Sequence, residues 1–289
     1  MSQGVLLFAF NNESINYVKQ AVFCANRIKK YLNLPVSLVT DIDNCDCFGK
    51  YFDKVIKVEK VLTSRKAYRD GSLSKRVLAF NNYGRENSFD LSPYDETIVM
   101  DTDMLVLQNL DSWWNFLSNY EVFYTSKVYT YRGEVVNDNY YRKTYIANNL
   151  PNVYAGFHYF KKCDFAKDFY SWLELVMNNW QFFYGQYASK EYQNFLSVDT
   201  STAIVTKILD CEDKITNKKV TFPSFTHMKP RIQGWYNPSE TWRSRVGAYL
   251  TDDLQLKIGN HQQQGIFHYT EKEFLDASKI QKYERYLKI

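Results

Sequence analysis

Continuous apolar runs alternate with helically spaced ones from the start of this chain. Val5 to Phe10 is an unbroken apolar run closed by Asn11 and Asn12. The next segment places Ile15, Val18, Val22, Ala25, Ile28 and Leu32 at three- and four-residue steps, the repeat of one helix face. Pro35 restarts the chain into Val36–Thr40, which stops at Asp41, so the first forty residues read as one βαβ unit. A short strand is expected at 54–58. Residues 63–76 cluster Arg65, Lys66, Arg69, Lys75 and Arg76 as solvated helix faces do, 73–80 carries helix formers with apolar positions that can pack, and 81–93 is a polar link. The link delivers the chain into 97–107, where aliphatic residues stand on both sides of Asp101 and Asp103, the pattern of a strand buried on both faces. Beyond it the pattern predicts a helix over 110–120, strands over 121–126 and 152–160, a helix over 166–180 with Phe169, Trp172, Leu173, Val176 and Met177 inward, and another from Ser197 to Leu209. Strands separated by helices in this order give an α/β fold with a parallel central sheet.

Composition narrows the picture modestly. The 289 residues are 45% hydrophobic and 17% aromatic, enough to bury a large core in one domain or a domain with an appended lobe. Lys and Arg number 36 against 32 acidic residues, a formal charge of +4, which permits an anionic partner without demanding one. Cys24, Cys45, Cys47, Cys163 and Cys211 follow no framework spacing, and Cys45 with Cys47 lacks the second pair of a zinc site, so free thiols are expected. The opening run is strand-length without a basic leader, so no signal peptide is expected. No apolar stretch reaches the roughly 20 residues of a membrane span. A reducing cytoplasm is the simplest setting.

The candidate chemistry begins with Asp101 and Asp103. Residues two apart on a strand point to one side, so the pair can present hard oxygen donors to a divalent cation such as Mn2+ or Mg2+; two solvated aspartates at a strand end are the alternative. Ligands of parallel sheets gather beyond the carboxyl ends of the strands, which nominates Ala9, Phe10, Asn11 and Asp41 as nucleotide neighbours. Asp41 in Asp-Ile-Asp-Asn also suits a turn. Lys75 and Arg76 can reach a diphosphate or belong to an ordinary surface helix. Gly156 inside an aromatic strand marks a place where another group comes close. His158 reads as a hydrogen-bonded core histidine, and His261 as an exposed loop residue. In the last third, Lys229 and Arg231 mix with Trp235 and Trp242. Bases interleaved with aromatics can grip a phosphate backbone and stack its bases, or hold a sugar acceptor.

The order of these parts resembles the GT-A fold of nucleotide-sugar-dependent glycosyltransferases, especially their glycogenin-like, retaining branch. The pieces are residues 8–17, 38–41, the Ser-Lys element at 74–76, and the Asp-x-Asp followed by aliphatics at 100–107; the resemblance covers about residues 4 to 205 and a short tail match. It implies a Rossmann-like nucleotide-sugar domain over 1–210, and an extension over 211–289 that packs on the acceptor side and brings the metal-ligand histidine. The family's Asn-x-Gly strand corresponds to Asn152 to Gly156, here with wider spacing, and implies a hexose or pentose beside Gly156. Asp199 stands where the family has Asp-Gln touching the sugar near the reacting carbon, although Thr200 replaces the glutamine; a helix-start aspartate is the other reading. The closing His-x-x-Gly-x-x-Lys element corresponds to His268 and Lys272 with shorter spacing and no glycine. The resemblance therefore implies a metal held by Asp101, Asp103 and His268, with Thr102 and Lys272 beside the donor. The chain around 94–97 and the aspartate pair also resembles some tailed-phage proteins.

These readings lead to three expectations. The first is a metal-dependent glycosyltransferase using a nucleoside-diphosphate sugar, foremost a UDP sugar, with Asp103 and Asp199 catalytic and retention implied by the resemblance alone. Its acceptor would be a glycan, a protein or a hydroxymethylated pyrimidine in phage DNA. The second is a nucleotidyltransferase, although the chain lacks a glycine-rich loop after its first strand. The third is a non-catalytic sugar- or nucleic-acid-binding module.

Overall fold

A computed structural model describes residues 1–12, 15–41, 48–59, 66–69, 77–80, 84–109, 112–136, 142–191, 193, 195–220, 222–228 and 242–287. The chain begins with β1 (Gln3–Phe8), α1 (Tyr17–Leu32), β2 (Val36–Thr40), β3 (Lys54–Lys57), and a hairpin of β4 (Lys66–Arg69) and β5 (Val77–Phe80). Then come α2 (Ser88–Leu91), β6 (Glu96–Met100), β7 (Met104–Val106), α3 (Trp113–Leu117), β8 (Val122–Thr125), α4 (Lys143–Asn148) and β9 (Tyr154–Lys161). The remainder holds α5 (Asp164–Asn178), α6 (Trp180–Tyr187), α7 (Val198–Ile208), α8 (Glu212–Ile215), β10 (Phe225–Met228), β11 (Ala248–Leu250), β12 (Leu256–Ile258), β13 (His261–Gln262), β14 (Ile266–Tyr269) and α9 (Ala277–Leu287).

The six-stranded central sheet has the order β3-β2-β1-β6-β9-β8. β3, β2, β1 and β6 run parallel, and β9 runs antiparallel to both of its neighbours. This is the mostly parallel α/β sheet expected from the sequence. Side chains alternate between its faces, as the two-residue repeat of a strand requires. Val5, Leu7, Leu38, Ile98 and Met100 join a core with α1, while Leu6, Val39, Val99 and Tyr124 join a second core with α5 and α7. On the first face α9 closes over α1, where Tyr283 stacks on Phe23 with ring centroids 4.5 Å apart. No helix among the described residues is long and apolar enough to cross a membrane.

β2 and β6 lie on opposite sides of β1, so the strand order reverses there. Open α/β sheets take their ligands beyond the carboxyl ends of the strands at such a reversal. Residues 9–12 and Asp101 stand at those ends. A smaller sheet of order β10-β14-β7 meets this edge. β14 pairs with β7 so that His268 lies opposite Met104, next to Asp103.

Two expected elements differ. Residues 97–107 form two strands rather than one, because β6 ends at Met100, residues 101–103 turn, and β7 leaves the central sheet for β14. The aspartates therefore sit in the turn between strands, held by the Asp101 amide, which donates to the Gly156 carbonyl, and by the Asp103 carbonyl, which accepts from the Tyr269 amide. The helix expected through residue 80 is replaced at Val77–Phe80 by a strand antiparallel to Lys66–Arg69. A four-residue apolar run does not distinguish helix from strand by periodicity.

Candidate active site

Asp101 is anchored at the end of β6 by its own amide, which donates to the Gly156 carbonyl at 2.9 Å. Its neighbour across the sheet has no side chain, and a Cβ there would lie 2.8 Å from both Asp101 Oδ2 and Met104 Cε. The close approach expected at Gly156 is thus made by Asp101 and Met104. Asp103 is buried, and His268 Nε2 lies 3.1 Å from Asp103 Oδ2 and 3.6 Å from Asp101 Oδ2. One donor atom from each of Asp101, Asp103 and His268 falls within 4.8 Å of the others.

Two cations flank this trio. The Lys272 ammonium reaches Asp103 Oδ2, and it lies 5.6 Å from the centroid of the Tyr17 ring. The Arg85 guanidinium pairs with Asp101 Oδ1 and lies 5.8 Å from the Phe8 ring centroid. Burial disfavours ionisation of Asp103, but Lys272 and His268 outweigh it and hold the carboxyl well below its ordinary range. Two carboxylates and an imidazole on a convergent site fit a divalent cation of the Mg2+ or Mn2+ class, with fixed positive charge left beside it for an anionic ligand.

At the start of β9 lies a second cluster. Arg142 is buried between the rings of Tyr145 and Tyr154, its guanidinium carbon 3.8 Å and 4.1 Å from their centroids. It donates to Asp199 Oδ2 and Asn152 Oδ1, both at 2.8 Å, and to the Val153 carbonyl. Asp199, in the first turn of α7, also accepts from the Ala155 amide at 2.9 Å. Asn152 donates to the Ser126 carbonyl at 3.0 Å. Burial would weaken the Arg142 charge, yet Tyr145, Asp199 and Tyr154 keep its pKa above the usual arginine value. Asp199 therefore holds the residue next to Gly156, and through it the strand on which Asp101 rests.

The other expected donor residues have varied placements. Ala9 and Phe10 are buried past the end of β1, where the Ala9 amide donates to Val39 O at 3.0 Å. Asn11 Oδ1 accepts from the Val18 amide at 3.0 Å, which fastens the loop to the start of α1. Asp41 is half-buried at the end of β2, and Thr102 is buried in the turn between the aspartates. Lys75, Arg76, Lys229, Arg231 and Trp235 lie outside the described residues. Trp242 requires a correction: it is 1% exposed and packs in the core near Phe274, so its ring is not a platform for an acceptor. His158 is the core histidine expected, with Nδ1 2.9 Å from the Ala155 carbonyl, and His261 is exposed. Cys24, Cys163 and Cys211 are free thiols, while Cys45 and Cys47 lie outside the described residues.

Sequence reasoning passed over Arg85, Arg142 and His227. Arg85 lies in the polar link, and nothing local distinguishes Arg142. His227, one of four histidines in the chain, stands in the short strand Phe225–Met228, and nothing local ties it to His268.

No protein-family model matches the chain, and no curated protein does. Among solved structures, the apo glycosyltransferase GlyE of Streptococcus pneumoniae aligns with TM-score 0.42 and 9% identity, over 76% of this chain and 46% of that one. The chain thus spans less than half of that protein's length. The galactosyltransferase LgtC, in complex with donor and acceptor sugar analogs, aligns with TM-score 0.43 and 13% identity over 71% and 70% of the two chains. Mouse xyloside xylosyltransferase 1 in its apo form gives 0.46 and 11% identity over 75% and 84%.

Proposed function

We propose that the protein is a metal-dependent glycosyltransferase that moves a sugar from a nucleoside-diphosphate sugar, foremost a UDP sugar, to an acceptor hydroxyl. The observation that carries this reading is the convergence of Asp101, Asp103 and His268 within 4.8 Å where the strand order reverses. Sheets of this kind take nucleotides at that edge, and the residues after β1 include no glycine-rich phosphate loop. On this reading the metal trio, with Lys272 and Arg85 beside it, would bind the diphosphate.

On this reading each residue takes a task. Asp101, Asp103 and His268 would hold the ion, Mn2+ or Mg2+. When bound, that ion supplies Lewis-acid stabilisation of the negative charge developing on the departing diphosphate. Lys272 and Arg85 add fixed positive charge at the same place. Ala9, Phe10, Asn11, Asp41 and Thr102 border the nucleotide. Asp199 and Asn152 serve the sugar, with retention the favoured stereochemistry by resemblance. The segment 211–289 supplies the acceptor side, and a hydroxymethylated pyrimidine in phage DNA is one acceptor class to test. Free thiols are in keeping with a reducing cytoplasm.

The test is incubation with Mn2+ and a panel of nucleotide sugars, scored by release of nucleoside diphosphate. Turnover of one donor, lost in Asp103→Ala, supports the reading. Release of pyrophosphate from a nucleoside triphosphate and a sugar phosphate would replace it with a nucleotidyltransferase. Tight DNA binding with no turnover would favour a binding module. Mass spectrometry of DNA after co-expression addresses the acceptor.

A further inference from the structure

His268 is fixed on both sides of its ring. Nε2 faces the two aspartates, and Nδ1 lies 2.9 Å from Nδ1 of His227. The rings are paired by register, since β10 and β14 run parallel with His227 opposite His268, and their centroids are 4.7 Å apart. His227 is in turn held by ring contacts with Tyr154 at 5.6 Å and Phe225 at 5.9 Å.

Two ring nitrogens at hydrogen-bond distance require a proton on one and a lone pair on the other. If His268 binds a cation through Nε2, that nitrogen offers its lone pair, and in the neutral ring the proton must then sit on Nδ1. His268 Nδ1 therefore donates and His227 Nδ1 accepts, which leaves the His227 proton on Nε2. We propose that His227 is a positioning residue for the metal site: its Nδ1 accepts the His268 proton, selecting the His268 tautomer whose Nε2 is open to the cation and fixing the plane of that ring. The partner of a metal-binding imidazole is commonly a carboxylate or a carbonyl. A neutral imidazole in that place orients the ligand without adding a third negative charge to a site that already holds two.

The inference rests on the metal reading above, and the experiment separates the two. Imidazole 15N spectra of the protein at one neutral pH and one fixed concentration of Mg2+, a diamagnetic ion, report which nitrogen of His268 carries the proton. Mn2+ affinity is then measured by titration with the metal alone. His227→Leu keeps the bulk of the ring and removes the acceptor, and His227→Asn keeps an acceptor oxygen at the δ position. The expected result is His268 as the Nδ1–H tautomer in the Mg2+-loaded parent and in loaded His227→Asn, a mixture with the unbound Nε2–H form in His227→Leu at the same Mg2+ concentration, and Mn2+ affinity about 10-fold or more weaker in His227→Leu alone. A parent that binds Mn2+ with His227→Leu equal to it in tautomer and affinity would overturn the role of His227. A parent that binds no Mn2+ would overturn the metal reading itself. Should His227→Leu fail to fold, His227→Asn decides: parent-like affinity with the Nδ1–H tautomer supports the role, and a His268 proton on Nε2 at unchanged affinity overturns it.

Discussion

Gly156 and Asp101 meet where any larger residue in the glycine's place would strike the carboxylate. The missing Cβ would fall 2.8 Å from Asp101 Oδ2 and equally close to Met104 Cε. Gly156→Ala must then shift the end of the Met104 side chain and the Asp101 carboxylate, taking the aspartate out of line with Asp103 and His268. Overpacking of this sort costs about 1–3 kcal/mol. The expected outcome is a stability loss of that order in urea denaturation together with weakened Mn2+ binding, whereas a parent-like Mn2+ titration would show that the site does not depend on this contact.

A cation that binds the folded protein and not the unfolded chain raises stability by mass action. At a concentration about 100 times its Kd the gain is about 2.7 kcal/mol. Mn2+ is expected to raise the thermal midpoint of the parent, EDTA to reverse the rise, and Asp103→Ala to abolish it. Removing Asp103 also deprives the half-buried Lys272 of its partner, so the unliganded variant should start from a lower midpoint.

The parallel half of the sheet was legible because burial on both faces writes itself as uninterrupted apolar runs. Val36–Thr40 appears in the structure at the boundaries its pattern predicts. The same logic misread residues 97–107, since aliphatic residues on either side of a turn look like one strand when β7's partner, β14, lies far along the chain. The metal trio was reached through the local Asp-x-Asp pattern and a family resemblance, not from His268 itself. Arg142 was invisible for a related reason. Its partners stand 10 and 57 residues away, and no periodicity marks a single cation that will be buried between two tyrosines.

His158 gives the stability a defined pH dependence. Burial pushes its pKa down from 6.5 to about 3, against the opposing pull of the Ala155 carbonyl. The unfolded chain takes up a proton near pH 6.5 that the folded protein refuses until near pH 3. Stability from this group is therefore complete above the unfolded pKa and falls as pH drops through the window between them, at up to about 1.4 kcal/mol per pH unit. His158→Phe preserves the stack on Tyr124, whose centroid lies 4.7 Å away, and removes the titration. Urea denaturation at pH 6.5 and 4.5 should show the parent losing more stability than the variant between the two. Equal losses would assign the acid sensitivity elsewhere.

Arg142 offers the sharpest test of how β9 is held. Its guanidinium serves Asp199, Asn152 and the Val153 carbonyl at once while lying between two aromatic rings. Arg142→Met retains some of the stacking area but takes the cation from a carboxylate whose side chain is 31% exposed. Breaking a buried pair in this way costs about 3–5 kcal/mol, and partial exposure of Asp199 places the expected loss at the lower end. Arg142→Lys should recover little, because one ammonium cannot present a planar fork to three acceptors while stacking. Adding Asp199→Asn to Arg142→Met removes the uncompensated charge, so the double variant should lose less than the sum of the single losses. Strict additivity in urea denaturation would mean that the two side chains stabilise the protein independently, and that Asp199 reaches β9 without help from Arg142.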